Sequence, residues 1–300
     1  MTTFVFELGC EELPSSSLPS LNSQFKQLFA QELNDALLGY KSLSVIAAPR
    51  RLGVVIEGVD QASEDKLFER RGPAFKAAFQ GDEPTKALLG FCRGLNIKPE
   101  DTSVIDTEKG QWVVYRGIEQ GKSASGVLGD ICHTVIADLA LSKSMRWGNG
   151  RDEFPRPVHW VLAMLDNAIV PLTVFGIESG NKTFGHRFMA PASIELQSAS
   201  EYRERLTQAF VIADFEARKA ATWLTIQSTA ESNGVKVEED DTLLTEINCL
   251  VEWPIGLCGE FEEHFLDIPD IALIAAMKSH QKYFHTRTDS GKLSNKFITV

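Results

Sequence analysis

The chain is 300 residues long, 43% hydrophobic and 24% charged, with a formal net charge of −11. That apolar content supports at least one buried core and excludes a disordered chain, and the length predicts two domains or one domain with appendages. The acidity counts against nucleic acid over the whole surface, since phosphates demand Lys and Arg, and no apolar run approaches the roughly 18 residues of a membrane-spanning helix.

The N-terminus, Met1-Thr2-Thr3-Phe4-Val5-Phe6-Glu7, lacks a basic n-region and meets an acid at once, so no secretory signal is visible and a cytoplasmic protein is expected. Phe4 to Leu8 reads as a strand, and Glu11 to Pro14 opens a turn into a helix through about Leu38, with Leu21, Phe25, Leu28, Phe29 and Leu33 at helical spacing. Val45-Ile46 and Gly53 to Val59 read as strands around the basic turn Pro49-Arg50-Arg51. A short helix over Glu83 to Leu95, a strand over Trp112 to Ile118 and a helix from Ser123 to about Leu141 follow. Val158 onward predicts a hairpin with an Asp166-Asn167 turn and a second strand from Ile169 to Phe175. Glu201 to Phe210, Asp214 to Ser232, Leu243 to Val251 and Pro269 to His280 read as helices, and Ile255 to Cys258 as a short strand. The strand-like ending Lys296 to Val300 suggests a chain that continues in a longer protein.

Five cysteines without a C-x-x-C pair fit neither a disulfide framework nor a zinc ribbon, and are expected as buried small apolar residues. The charge is uneven: residues 195–275 hold 5 basic and 17 acidic side chains, whereas 140–194 hold 6 and 4, and 276–300 hold 5 and 1. Two mildly basic segments can therefore face an anion although the whole chain is acidic, the bland alternative being a solvated acidic helical face.

Gly117-Ile118-Glu119-Gln120-Gly121-Lys122-Ser123 has the setting of a phosphate loop but only three residues between its glycines where four are needed, so a Gly-rich turn is the better reading. No pair among the six histidines has the three- or four-residue spacing of metal ligands on one helical face, and no Gly-x-Ser-x-Gly elbow occurs. No catalytic, cofactor or metal residues are assigned.

The most informative stretch runs from Met145 to Arg187. Ser144-Met145-Arg146-Trp147-Gly148, then Phe154-Pro155-Arg156-Pro157-Val158-His159-Trp160, then Thr183-Phe184-Gly185-His186-Arg187-Phe188 interleave Arg, His and aromatic residues across loops and strand ends. Arg bridges phosphates or stacks on rings, and an exposed aromatic ring supports an unpaired base. The competing reading is that the aromatics cap a core and the arginines pair with internal carboxylates. Met277-Lys278-Ser279-His280-Gln281-Lys282-Tyr283-Phe284-His285 repeats the composition.

In order along the chain these strings resemble the beta subunit of the bacterial heterotetrameric glycyl-tRNA synthetase. They begin with Glu7-Leu8-Gly9-Cys10-Glu11-Glu12-Leu13-Pro14 and continue through Ala48-Pro49-Arg50-Arg51-Leu52, Arg71-Gly72-Pro73 with Lys76-Ala77-Ala78-Phe79, and Pro84-Thr85-Lys86-Ala87. Met145 to Gly148, Arg156 to Trp160, Gly185 to Phe188, Leu250-Val251-Glu252-Trp253-Pro254 and Met277 to Phe284 complete them. Cys10 departs from the family, which more often has another small residue there.

The resemblance implies a beta subunit that binds tRNA for glycine and assembles with a catalytic alpha subunit, in an alpha2-beta2 enzyme, while ATP and magnesium act at the alpha subunit. The pattern of elements, with a composition shift near Leu141 to Trp147, predicts an α+β fold of two mixed α/β units, 1–142 and 143–300, the second partly resembling the editing-type module of the phenylalanyl-tRNA synthetase beta subunit. The residues expected to contact tRNA or the alpha subunit are Arg146, Trp147, Arg156, His159, Trp160, His186, Arg187, Lys278, His280 and Lys282. Two rivals stay open: an editing-like hydrolase acting on mischarged tRNA through His159 or His186, and a purely structural assembly module.

Overall fold

The computed structural model describes residues 2–108 and 110–300; it is a mixed α and β protein whose sheets are small and antiparallel. Two compact units emerge, Met1–Gln61 with Ala124–Val300, and Ala62–Ser123. The expected boundary near residue 142 therefore lies inside the first unit, because Val158–Leu165 hydrogen-bonds along Thr3–Cys10 in one sheet.

The first unit opens with β1 (Thr3–Cys10), α1 (Leu18–Asp35), β2 (Ser42–Ala48) and β3 (Arg51–Glu57). α1 starts later than its apolar spacing predicts, because the backbone N–H groups of Glu11 and Leu13 are already held by the carbonyls of Pro157 and Pro49. The second unit comprises β4 (Lys66–Ala74), α2 (Phe75–Ala78), β5 (Phe79–Gln80), β6 (Glu83–Pro84), α3 (Lys86–Leu95), β7 (Ser103–Thr107) and β8 (Gly110–Glu119). Its three-stranded sheet, ordered β4-β8-β7, has a small core of Ala78, Leu88, Cys92 and Val113. The turn that resembles a phosphate loop lies here, and its Gly121 N–H donates to the Asp65 carboxylate, which takes the place an anion would need.

The first unit resumes with α4 (Ala124–Ala137), β9 (Val158–Leu165) and β10 (Ala168–Ile169), which complete an antiparallel sheet ordered β10-β9-β1-β3-β2. The expected second hairpin strand is interrupted: only Ala168 and Ile169 pair with β9, and β11 (Thr173–Val174) turns onto β12 (Ile177–Glu178) instead. Phe175 and Gly176 both have positive φ, 55° and 76°, as the tight turn of a two-residue hairpin requires. β13 (Lys182–Phe184), β14 (Ser193–Glu195), α5 (Tyr202–Gln208) and α6 (Phe215–Ser232) follow. Then come β15 (Lys236–Val237), α7 (Asp241–Asn248), β16 (Leu257–Glu260), α8 (Asp270–Ala276), β17 (Phe284–Arg287) and β18 (Leu293–Thr299), and the last helix closes in a wide π turn over Met277–Gln281. Asp214 and Asp240 cap α6 and α7 by accepting from the N–H groups of Ala217 and Leu243.

Strand alternation sends the two faces of β1 into different cores. Phe4, Phe6, Leu8 and Cys10 join Phe25, Phe29 and Leu33 of α1 and Leu128, Ile131 and Val135 of α4. Each fully buried phenylalanine there stabilises the unit by about 1.5–3 kcal/mol. Val5 faces the other way, with Val55, Leu162, Met164, Tyr202 and Leu206. Glu7 and Gly9 continue the Val5 face, so a carboxylate enters where the second core ends. A four-stranded sheet, β15-β17-β18-β16, shares a third core with α6 and α7 through Ile226, Leu243, Leu244, Ile247, Phe284 and Ile298. No helix among the described residues is long and apolar enough to cross a membrane.

Candidate functional site

Strand register builds a polar knot on the Val5 face of β1. Gly9 pairs with Trp160 of β9 on one side and Arg51 of β3 on the other, while Glu7 pairs with Leu162 and Gly53. A Cβ on Gly9 would lie 1.7 Å from the Trp160 ring, so the missing side chain lets the indole lie across the strand. Its Nε1 then reaches Glu7 Oε1 at 2.5 Å. Thr183 of β13 donates to the same oxygen at 2.6 Å, and Tyr202 of α5 donates to Glu7 Oε2 at 2.5 Å.

Arg51 closes the knot. It is fully buried and donates from Nε to Glu252 Oε1 at 2.9 Å, from one terminal nitrogen to Glu7 Oε2 and Thr183 Oγ1, both at 3.3 Å, and from the other to the Phe184 carbonyl at 2.9 Å. Burial opposes the Arg51 charge, but Glu252 and Glu7 outweigh it and raise its pKa. Burial and the Glu7 charge push the Tyr202 hydroxyl well above its ordinary pKa, so it stays a neutral donor.

Above the knot lies an open cavity of about 310 Å³ lined by Glu11, Arg50, His159, Trp160, Phe184, Gly185, Arg187 and Pro191. Glu11 sits between two side chains: Arg187 donates to one carboxylate oxygen, and His159 Nε2 lies 3.0 Å from the other. Arg187 also lies 3.6 Å from Glu12. The Arg187 hydrogen bond, then the His159 one, holds the Glu11 carboxyl below its ordinary range. A carboxylate with a depressed folded pKa stabilises the protein above its unfolded value near 4.5, and that contribution disappears as pH falls through the folded value. Glu11→Gln is therefore expected to lose less melting temperature than wild type between about pH 6 and pH 3. The difference is about 2 °C, because the pair is partly solvated; melting curves at the two pH values that run parallel in both proteins would refute it.

Of the ten residues expected as contacts, His159, Trp160 and Arg187 meet at this cavity, and His186 stands beside it. His186 Nδ1 accepts the backbone N–H groups of Phe188 and Met189, so the ring braces its own turn. Trp160 is 8% exposed and serves as the lid of the polar knot rather than as an open stacking face. Arg146 and Trp147 lie elsewhere: Arg146 pairs with Glu153 at 2.7 Å, and Trp147 packs on Phe175 with ring centroids 5.5 Å apart. Arg156 donates to the Pro155 carbonyl at 2.7 Å. The second basic segment is met by the acidic stretch: Lys278 pairs with Asp240, Lys282 with Glu246 at 2.9 Å, and Arg287 with Glu238 at 3.1 Å, while His280 is exposed on the same π turn. The uneven charge of the sequence is thus partly cancelled within the fold.

Sequence reasoning missed the roles of Glu7, Arg50, Arg51, Thr183, Tyr202 and Glu252. A carboxylate inside an otherwise apolar strand, and two arginines at a strand start, were the available signals. Among the described residues no group of three or more His, Cys, Asp or Glu is placed to hold a metal ion.

Comparison with known proteins bears on the whole chain. A family model described as glycyl-tRNA synthetase beta subunit matches residues 4–300. The glycine–tRNA ligase beta subunit of Chromohalobacter salexigens is 42% identical over 299 residues, covering 100% of this chain and 44% of that protein. That of Marinobacter nauticus is 41% identical over 300 residues, covering 99% and 43%, and that of Hahella chejuensis 40% over 299 residues, covering 99% and 43%. The chain thus spans less than half the length of these relatives.

Proposed function

We propose, from the premise that this chain belongs to the glycyl-tRNA synthetase beta subunit family, that it supplies RNA-binding and partner-binding surface to a two-subunit glycine–tRNA ligase. In this reading the alpha subunit activates glycine with ATP and magnesium, the assembly is alpha2-beta2 in the cytoplasm, and the chain itself contributes no reacting group. One observation carries it. The strings around Glu7, Arg50, Trp160, Arg187 and Glu252, far apart in sequence, converge on a single surface cavity with a buried polar base. A rigid floor beneath a basic, aromatic-rimmed opening suits recognition.

The test is whether the 300-residue chain retards tRNA for glycine in a native gel at moderate salt, alone and with the alpha subunit. Retardation by the chain alone, strengthened by the alpha subunit, is the expected result. A chain that binds the alpha subunit and leaves tRNA unretarded in both lanes is an assembly module, and the RNA part of the proposal falls.

A second reading draws on the His159–Glu11 pair at the cavity mouth, where a carboxylate-oriented imidazole has the form of a general base. It makes this region editing-like, as in the module of the phenylalanyl-tRNA synthetase beta subunit. Release of the amino acid from mischarged tRNA above the buffer rate, lost in His159→Ala, would support that reading over the binding one.

A further inference from the structure

We propose that the cavity at Arg50 is a phosphate site that takes one unpaired nucleotide of a bound RNA, with the Arg50 guanidinium meeting the phosphate and Phe188 offering the face on which the base stacks. The inference rests on the RNA-binding reading above and names the place and chemistry of one contact.

Charge bookkeeping at the cavity singles out Arg50. Glu11 is engaged by Arg187 and His159, and the buried Glu7 and Glu252 by Arg51. Arg50 has no carboxylate within ion-pair distance and no side-chain hydrogen bond among the described residues, and its shielded Nε–H lacks an acceptor. Buried donors are nearly always paired, so this shortage marks a place where an acceptor is missing. Burial, and after it the charge of Arg187, lowers the Arg50 pKa, so the protein holds this cation without a full counter-charge of its own. An oxyanion entering the cavity supplies the counter-charge that Arg50 lacks and offsets the repulsion from Arg187. A guanidinium meets phosphate through two parallel N–H groups, which suits Arg more than Lys here.

The neighbouring turn supplies the second half. Phe188 is 81% exposed, and Met189 beside it is 43% exposed. An apolar ring left in water is held there by structure: His186 Nδ1 accepts the N–H groups of residues 188 and 189, and the Ala190 N–H returns to the His186 carbonyl. Gly185 lets the turn close, since a Cβ there would lie 2.3 Å from the Ala190 carbonyl oxygen. A braced exposed phenylalanine on the turn whose Gly185 and Arg187 line the cavity with Arg50 matches the way single strands are bound, with phosphate on a cation and base on a π face. About 310 Å³ lies at the small end of ligand cavities, a scale suited to one nucleotide rather than a duplex.

The experiment measures tRNA affinity of the 300-residue chain across a salt series for wild type, Arg50→Ala, Arg50→Lys and Phe188→Ala, with melting curves to establish folding. Arg50→Ala is expected to weaken binding about tenfold and to reduce the slope of log affinity against log salt by about 1. Arg50→Lys, which keeps the charge and protects against a folding defect, should retain the slope and lose part of the affinity. Phe188→Ala, an exposed change, should weaken binding about tenfold with an unchanged slope. Inorganic phosphate and adenosine monophosphate are titrated separately. Competition with tRNA by both, the nucleotide more strongly, supports the proposal. Saturable phosphate binding at Arg50 that leaves tRNA affinity untouched would make this a free-anion site and overturn the RNA assignment. Wild-type tRNA binding that is unchanged in Arg50→Lys and Phe188→Ala also overturns the pocket, while leaving the broader reading intact; so does a loss of alpha-subunit affinity alone, which would assign the cavity to a protein partner. Absence of any tRNA binding by wild type overturns both.

Discussion

Arg51→Ala is expected to lower the stability of the first unit by about 3–5 kcal/mol, because it strands two buried carboxylates at once. The Arg51 guanidinium is the cation common to Glu7 and Glu252, at 3.3 and 2.9 Å, and both acids are shielded from solvent. Glu7 keeps donors in Trp160, Thr183 and Tyr202, but these are neutral and cannot cancel its charge. The Phe184 carbonyl loses its donor too, at the strand end that leads into the His186 turn. In a unit of this size the change corresponds to a fall of roughly 6–20 °C in melting temperature. Replacing all three, Arg51→Met with Glu7→Gln and Glu252→Gln, should recover much of the loss, since apolar or neutral groups tolerate burial where unpaired charges do not. Equal destabilisation of single and triple variants would mean that shape, not charge pairing, holds the knot. Because the knot floors the cavity, Arg51→Ala should also weaken the tRNA binding proposed above at temperatures where the variant is still folded.

Alternation and helical spacing made much of the secondary structure legible. The apolar stripe Leu21, Phe25, Phe29, Leu33 yields α1, and the run after Val158 yields β9. What local pattern could not convey is that β9 lies beside β1, which placed a domain boundary where a sheet continues. The same limit governs the site. Trp160 and Arg187 were visible as unusual residues, but the reason Trp160 is buried is Gly9, more than a hundred residues away in sequence and adjacent in register. Arg50 and Arg51 are neighbours in the chain with opposite fates: one lines the cavity over the Trp160 ring without a carboxylate partner, and the other has two. Composition treats them as equal. What distinguishes them is that Arg50 lies in the turn while Arg51 is the first residue of β3. Lys278 and Lys282 show the converse, since their basic segment is met by acids from α7 and its cap, a pairing that charge counts by segment cannot foresee.

Arg218 gives the second large effect, through a different balance. It is buried on α6, and its guanidinium donates to four carbonyl oxygens, those of Ala47 on β2, Ile212, Ala213 and Asn248 at the end of α7. No carboxylate lies within ion-pair distance of it among the described residues, so it joins these segments as a cation held by dipoles. Burial lowers its pKa from 12.5 to about 10, a drop worth roughly 3 kcal/mol against the charged form. Arg218→Met removes that cost but leaves four carbonyls without donors at roughly 1–3 kcal/mol each. The carbonyls win even at the low end of that range, and a net loss of at least about 1 kcal/mol is expected. Arg218→Lys separates the two contributions. The same burial acting on an ammonium, whose ordinary pKa is near 10.4, lowers it in the folded protein. The unfolded chain then binds more protons than the folded one from the lowered folded pKa up to about pH 10.4, so stability rises with pH across that window. The lysine variant should therefore be well below wild type at about pH 7 and close part of the gap by about pH 10. A gap that stays constant in melting experiments over that range would show that the protein accommodates a charge at this position without strain, and that the hydrogen bonds alone account for the residue.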